Sequence, residues 1–246
     1  MAEVPDPKPA PDEVLVRVRA AGLNRADLLQ RRGKYPAPPG VPANIPGMEF
    51  AGEVEATGEQ ARDWSVGDRV MGIVGGGAQA QRLVCHGRAL ARIPAALSFE
   101  DAACVPEAFI TAHDALVTQA RFRPGEAVLI HAVGSGIGTA ALQLVRAGGG
   151  LAIGTSRSPD KLAKAVGLGL HHGIEVGPDR RFSAQLLALT QARGASVVLD
   201  FVGSPYLTEN VAALASRELK PTGLQDKKGP ANCFAGPNLL LRATNR

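Results

Sequence analysis

The run Val128-Leu129-Ile130-His131-Ala132-Val133-Gly134-Ser135-Gly136-Ile137-Gly138-Thr139, continuing to Leu144, limits what this chain can fold into more than any other stretch. A short apolar segment passes through three glycines and enters a second apolar segment with helical spacing. A continuous apolar run reads as a buried parallel strand. Glycines let a backbone turn sharply and approach a ligand. A helix opening directly after such a turn presents free N–H groups and a positive dipole end, a seat for a pyrophosphate. The residues of that seat are Ser135, Gly136, Ile137 and Gly138. The pattern departs from strict GxGxxG, since the series begun at Gly134 ends on Thr139. Glycine turns alone are weak evidence, so the surrounding units decide.

Those units are present. Leu151 to Thr155 reads as a second strand. Ser158-Pro159-Asp160 is a helix start: a cap, then proline at the first position, then an acid. Ile174 to Val176 reads as a short third strand, Phe182 to Ala192 as a helix, Ser196 to Asp200 as a fourth strand and Tyr206 to Ala215 as a helix. Strands alternating with helices predict a doubly wound parallel sheet. The first part of the chain reads differently. Short strands at Val14–Ala20, Gly47–Ala56, Val66–Val70 and Ala80–Cys85 are separated by turns, which predicts a small all-β barrel. Ser98-Phe99-Glu100-Asp101 starts a helix close to the capping-box pattern. Pro106 interrupts it, and a second helical stretch covers about Ala108 to Val117. The expected division is a β domain over residues 1–97, a nucleotide-type domain over 98–220 and an irregular tail over 221–246.

Composition excludes several classes. The net charge is +4 on 246 residues, and the basic residues are scattered, so a nucleic-acid face is not expected. Cys85, Cys104 and Cys233 are few, far apart and odd in number, which points to a reducing compartment and the cytoplasm. No CxxC or HxxxH pair exists, so no metal is expected. No apolar run approaches 18 residues, and neither a membrane span nor a signal peptide is expected. His113, His131, His171 and His172 are read as structural.

Five motifs in order then carry a resemblance: Asn24-Arg25-Ala26-Asp27, Gly47-Met48-Glu49-Phe50-Ala51-Gly52, Pro106-Glu107-Ala108-Phe109-Ile110-Thr111-Ala112, the Gly136–Gly138 turn, and Asp200-Phe201-Val202-Gly203. Over roughly residues 3–215 the chain resembles the zinc-free medium-chain dehydrogenase/reductases, in particular their quinone oxidoreductases. The resemblance implies a GroES-like β-barrel catalytic domain followed by a Rossmann domain, an NADPH cofactor, a quinone substrate and a homodimer. Where the zinc alcohol dehydrogenases place a Cys, a His and a second Cys, the matching positions look like Asn24, Met48 and the Pro106–Phe109 stretch, none a good zinc ligand. Glu49 is then read as a buried, hydrogen-bonded carboxylate. Without a Lewis acid, reduction rests on positioning the nicotinamide against the acceptor.

An acid after the second strand would suit NAD, and a basic group NADP. The residues there are Thr155-Ser156-Arg157-Ser158-Pro159-Asp160-Lys161. Ser158 and Lys161 match the family's phosphate-binding serine and lysine, and Arg157 between them can fork onto a phosphate. NADP(H) is therefore expected. The family suggests Asn24 and Thr111 near the nicotinamide, Tyr35 in the quinone pocket, and backbone contacts from Val202 and Gly203.

By the resemblance, the strands that precede Val4 and the last two strands of the nucleotide sheet are expected to be missing. Residues 221–246 look like the product of a frame change or alternative splice and are expected to be disordered or loosely docked, with only Leu239-Leu240-Leu241 able to pack. Two functional classes stay open: an NADPH-dependent quinone reductase, or a non-catalytic NADPH-binding isoform that acts by pairing with a full-length protein.

Overall fold

The structure is a computed structural model that describes residues 3–42, 44–215, 219–221 and 239–243. These residues divide into two compact units, the first running to Glu107 and the second beginning at Ala108.

In the first unit the strands are β1 (Glu13–Ala21), β2 (Glu49–Thr57), β3 (Arg69–Ile73), β4 (Arg82–His86) and β5 (Leu90–Arg92), with helix α1 (Arg25–Arg31) between β1 and β2. They form an antiparallel sheet in the order β4-β1-β2-β3-β5. Alternation builds its core: Val14 and Val16 are buried while Arg17, two strand positions apart from Leu15, faces Glu53. Phe50, Val54, Val70 and Leu83 close the cluster. Helix α2 (Phe99–Ala102) is capped by the Ser98 hydroxyl, which accepts from Asp101 N at 3.0 Å, and packs on β1 and β2.

Helix α3 (Pro106–His113) begins on the proline itself, in the last residues of the first unit, and most of it belongs to the second. The helix then widens into a π-type turn over Asp114–Gln119. There follow β6 (Ala127–Ile130), α4 (Gly136–Ala147), β7 (Leu151–Ser156), α5 (Pro159–Gly167), β8 (His172–Glu175), α6 (Ser183–Leu189), β9 (Val197–Asp200), α7 (Leu207–Ala213), β10 (Leu219–Pro221) and β11 (Leu239–Ala243). The sheet order is β10-β11-β9-β6-β7-β8. Strands β9, β6, β7 and β8 are parallel, and the apolar runs of the inner three, β9, β6 and β7, are buried on both faces, while in the edge strand β8 only Ile174 is buried. The order reverses between β6 and β9. In open α/β sheets ligands bind outside the carboxyl ends of the strands at such a switch point.

One expectation needs correction. No core strand was expected after Ala215, and the Leu239–Leu241 run was expected to pack at most loosely. Instead β11 pairs antiparallel with β9, from Leu239 opposite Asp200 to Arg242 opposite Val197. The reason is the edge of β9: a strand buried on both faces cannot leave a row of amides and carbonyls unpaired. Leu240 and Leu241 are buried against the two core clusters, and Arg242 forms a pair with Glu126 at 2.8 Å. The rest of the tail expectation lies outside the described residues.

Gly154 in β7 shows how tightly strand and turn are fitted. A methyl group built there would lie 2.8 Å from Cβ and Cγ1 of Val133 and 2.8 Å from Leu170. Val133 is β-branched and cannot swing away. Gly154→Ala is expected to destabilise the second unit by about 1–3 kcal/mol. Chemical denaturation checks this, and an unchanged midpoint would show that the contact is slack.

Candidate functional site

The chain leaves β6 through an unusual residue. His131 N donates to Leu199 O at 3.0 Å, Val133 N donates to Thr155 O at 3.0 Å, and between them Ala132 sits at φ +46°. The reversal therefore falls on an alanine in the left-handed region, where a non-glycine residue is uncommon. None of the three glycines of the motif has a positive φ. Their roles differ from the sharp turning expected of them. A methyl on Gly138 would meet Ala132 O at 2.6 Å, so this glycine lets α4 press on the turn. A methyl on Gly134 would lie 2.9 Å from Cβ and Cδ of Lys161. Gly136 faces open space, with nothing within 4 Å of a built Cβ.

Ser135 caps α4: its hydroxyl accepts from Gly138 N at 3.1 Å. The first amides of a helix have no partner inside it. Those of Gly136 and Ile137 thus remain at the open face of the turn. Together with the dipole of a 12-residue helix they suit a pyrophosphate. The cradle and the exposed cations beside it fit a dinucleotide.

Those cations follow β7. Arg157 and Lys161 are exposed and Ser158 is half-buried. The Ser156 hydroxyl accepts from Ser158 N at 3.0 Å, and the Ser158 hydroxyl accepts from Lys161 N at 3.4 Å. Ser158 thereby caps α5 while its own O–H remains free to donate. Because the Lys161 stem lies against Gly134, the turns after β6 and β7 are in direct contact.

The exit of β9 is held by Asp200, which is 1% exposed. Its Oδ1 accepts from Val202 N at 2.7 Å and Gly203 N at 2.9 Å. Gly203 has φ +91°. The backbone contacts expected of this pair must therefore come from carbonyls, since both amides are taken. The Gly203 carbonyl accepts from Tyr206 N at 3.0 Å and keeps a second lone pair, so both carbonyls can serve. Asp200 Oδ2 accepts from Asn210 Nδ2 at 2.9 Å, and Asn210 Oδ1 lies 2.6 Å from His131 Nε2.

In the first unit the residues at the zinc-ligand positions form a different constellation. Met48 is 1% exposed, and Asn24 Nδ2 donates to Glu49 Oε1 at 2.7 Å. Glu49 Oε2 accepts from Glu107 N at 2.8 Å. Asp27 accepts from Asn24 N at 2.8 Å and from Gly47 N at 3.1 Å. Gly22 is required here, since a Cβ would run into the Glu49 carboxylate. Burial raises the Glu49 carboxyl, opposed by the Glu107 amide and Asn24. Burial pushes Glu107 up to about 7, with the charges of Glu49 and Asp27 adding to it. An amide and a thioether do not suit zinc, and among the described residues no three His, Cys, Asp or Glu side chains could hold a metal ion.

Asn24 and Tyr35 thus belong to the first unit, and Thr111 with every nucleotide-turn residue to the second. Tyr35 and Thr111 are both buried, at 8% and 7% exposure. Sequence reasoning missed Asn210, Thr155 and Glu107 as members of buried networks. The available signal was a polar residue inside an apolar run: Asn210 within α7 and His131 directly after β6.

Comparison with known proteins agrees with this geometry. Residues 10–111 match the alcohol dehydrogenase GroES-like domain, and residues 136–219 match the domain described as zinc-binding dehydrogenase. The chain is 37% identical over 213 residues to a quinone oxidoreductase of Pseudomonas aeruginosa, covering 86% of this chain and 65% of that protein. It is 34% identical over 240 residues to the synaptic vesicle membrane protein VAT-1 homolog of Rattus norvegicus, covering 98% of this chain and 57% of that one. The chain thus spans little more than half the length of those vesicle proteins. Among solved structures it is similar to a quinone oxidoreductase of Pseudomonas syringae, at TM-score 0.78 and 34% identity over 88% of this chain and 66% of that one. It is also similar to an NAD-dependent alcohol dehydrogenase, at TM-score 0.79 and 33% identity over 87% and 70%. Among the described residues no helix is long and apolar enough to cross a membrane.

The acid pair of the first unit gives a pH signature. The folded-state pKa of Glu107 lies above its ordinary value of 4.5, so the folded chain holds the proton more tightly. That contribution is present below the ordinary value and is lost as pH rises towards 7. Glu107→Gln is expected to flatten the decline in thermal midpoint between pH 5 and pH 8. Identical slopes in the two proteins would show that Glu107 titrates normally.

Proposed function

This chain belongs to the medium-chain dehydrogenase/reductases, in their zinc-free, quinone oxidoreductase-like part, and on that premise we propose that it is an NADPH-dependent oxidoreductase reducing quinones. The observation that carries the reading is the Ser135-capped opening of α4 in contact, through Gly134 and Lys161, with the cationic turn after β7. The cofactor supplies a hydride. The amides of Gly136 and Ile137 hold the pyrophosphate. The Ser158 hydroxyl, Arg157 and Lys161 hold the 2′-phosphate, and no acid ends β7 to claim a bare ribose. The backbone carbonyls of Val202 and Gly203 orient the carboxamide. Asn24 and Thr111 serve the nicotinamide, and Tyr35 the quinone. A quinone suits a site without a Lewis acid because it accepts electrons readily by itself. The named quinone oxidoreductase relatives support the substrate class. A homodimer and a cytoplasmic setting follow from the same family reading, and the free thiols of Cys85 and Cys104 agree with a reducing compartment.

A second reading is a non-catalytic NADPH-binding protein that acts by pairing with a full-length protein; the likeness to the vesicle proteins shows that the chain's relatives extend beyond the quinone oxidoreductases. NADPH oxidation with an ortho-quinone separates the two, since binding without oxidation supports the second. For cofactor choice, Lys161→Ala is expected to weaken NADPH by about 1.5–3 kcal/mol, roughly 10- to 150-fold, and NADH little. Equal losses for both would rule out contact with the 2′-phosphate.

A further inference from the structure

Four buried polar side chains lie beneath the switch point of the second sheet, and neither the pyrophosphate seat nor the cation cluster uses them. Thr155, His131 and Asn210 are fully buried, and Asp200 is 1% exposed. Their hydrogen bonds can run in one direction only. Asp200 as a carboxylate only accepts, so Asn210 presents its Nδ2 to it and turns Oδ1 to His131. His131 Nε2, 2.6 Å from that oxygen, must carry a hydrogen. In a neutral ring Nδ1 is then an acceptor, and it takes the hydroxyl of Thr155 at 2.8 Å. Burial lowers the His131 pKa and keeps the ring neutral. The ring cannot turn away, because Phe182 and Tyr206 pack edge-on to it with centroids 4.9 and 4.8 Å distant.

Where this chain of bonds ends matters more than that it is satisfied. Thr155 stands two residues before Arg157. His131 stands three before Gly134. Asp200 holds the amides of Val202 and Gly203. A packed apolar cluster would fill the same space without desolvating four polar groups, so stability alone does not call for them. A fully connected network instead fixes one geometry.

We propose that His131 and Asn210 are positioning residues for the dinucleotide: the Thr155–His131–Asn210–Asp200 chain holds the turns after β6, β7 and β9 in one register, so that pyrophosphate, 2′-phosphate and carboxamide are met together. The inference rests on the nicotinamide reading above. It assigns a role to buried residues that touch neither cofactor nor quinone.

The test compares wild-type protein with His131→Leu, His131→Gln and Thr155→Val, using NADPH titration, the unfolding midpoint and steady-state kinetics with an ortho-quinone. His131→Gln can still donate to Asn210 and accept from Thr155. His131→Leu is expected to weaken NADPH at least tenfold, and His131→Gln to return within about threefold of wild type. Thr155→Val, which removes one hydroxyl at constant shape, is expected to lose three- to tenfold, chiefly in KM for NADPH. It decides the matter if His131→Leu does not fold. Nitrogen NMR of the wild-type ring is expected to show a neutral Nε2–H imidazole at pH 7. Unchanged NADPH binding in folded His131→Leu or Thr155→Val, or an Nδ1–H ring, overturns the proposal alone. Wild-type protein that binds no NADPH overturns the functional reading and the proposal with it.

Discussion

Asp200 sits where water cannot reach it, and a carboxylate in that position needs donors on every side. It has three, two backbone amides and one side-chain amide. Much of the second unit can be read outward from this requirement. The two backbone donors bend the chain sharply after β9, which only the positive φ of Gly203 allows. The third donor orients Asn210, and through it the ring of His131. The ring in turn stands between Phe182 and Tyr206, which belong to the cluster under β9. Electrostatics and packing here are the same contacts viewed twice. Removing any one partner would leave another polar group buried without compensation, which is dearer than never having placed it there.

The first unit meets a similar requirement in another way. Glu49 accepts from the Glu107 amide and the Asn24 side chain, which oppose the upward push of burial on its carboxyl, while two more acids, Asp27 and Glu107, lie close by. The surroundings differ. Asp200 accepts from three amides, whereas Glu107 is buried beside the charges of Glu49 and Asp27, and burial first and those charges second make it hold its proton longer. In the zinc alcohol dehydrogenases a cation would balance such a pocket. Here amide donors and proton uptake take over that work, and Met48 fills volume without offering charge.

The architecture was legible wherever a local rule dominated. Continuous apolar runs at 128–130, 151–153 and 197–199 announced the parallel strands. Ser98 and Ser158 announced helix starts, and each side chain does accept from the amide three residues on, as Ser135, which was not singled out as a cap, does for α4. What stayed hidden depends on residues far apart in the chain. The strand β11 exists because β9 offers it an edge, and nothing in Leu239-Leu240-Leu241 names that partner. The hydrogen-bonded chain beneath the switch point joins positions 131, 155, 200 and 210, so no window of sequence contains it. The glycine motif was found correctly and explained incompletely: the backbone reversal falls on Ala132, while two of the three glycines are set by what passes over or presses against them.

Gly134 carries a consequence of its own. Its missing side chain is the space that the aliphatic part of Lys161 occupies, although the two residues sit on different turns. On the proposed reading, this glycine would be a specificity position by proxy. Shortening the lysine would not free the glycine, because Lys161 Cβ itself lies 2.9 Å from where a methyl on Gly134 would fall. Room for alanine would come only from a shift of α5 against the turn, so the glycine stays fixed whatever side chain that helix presents.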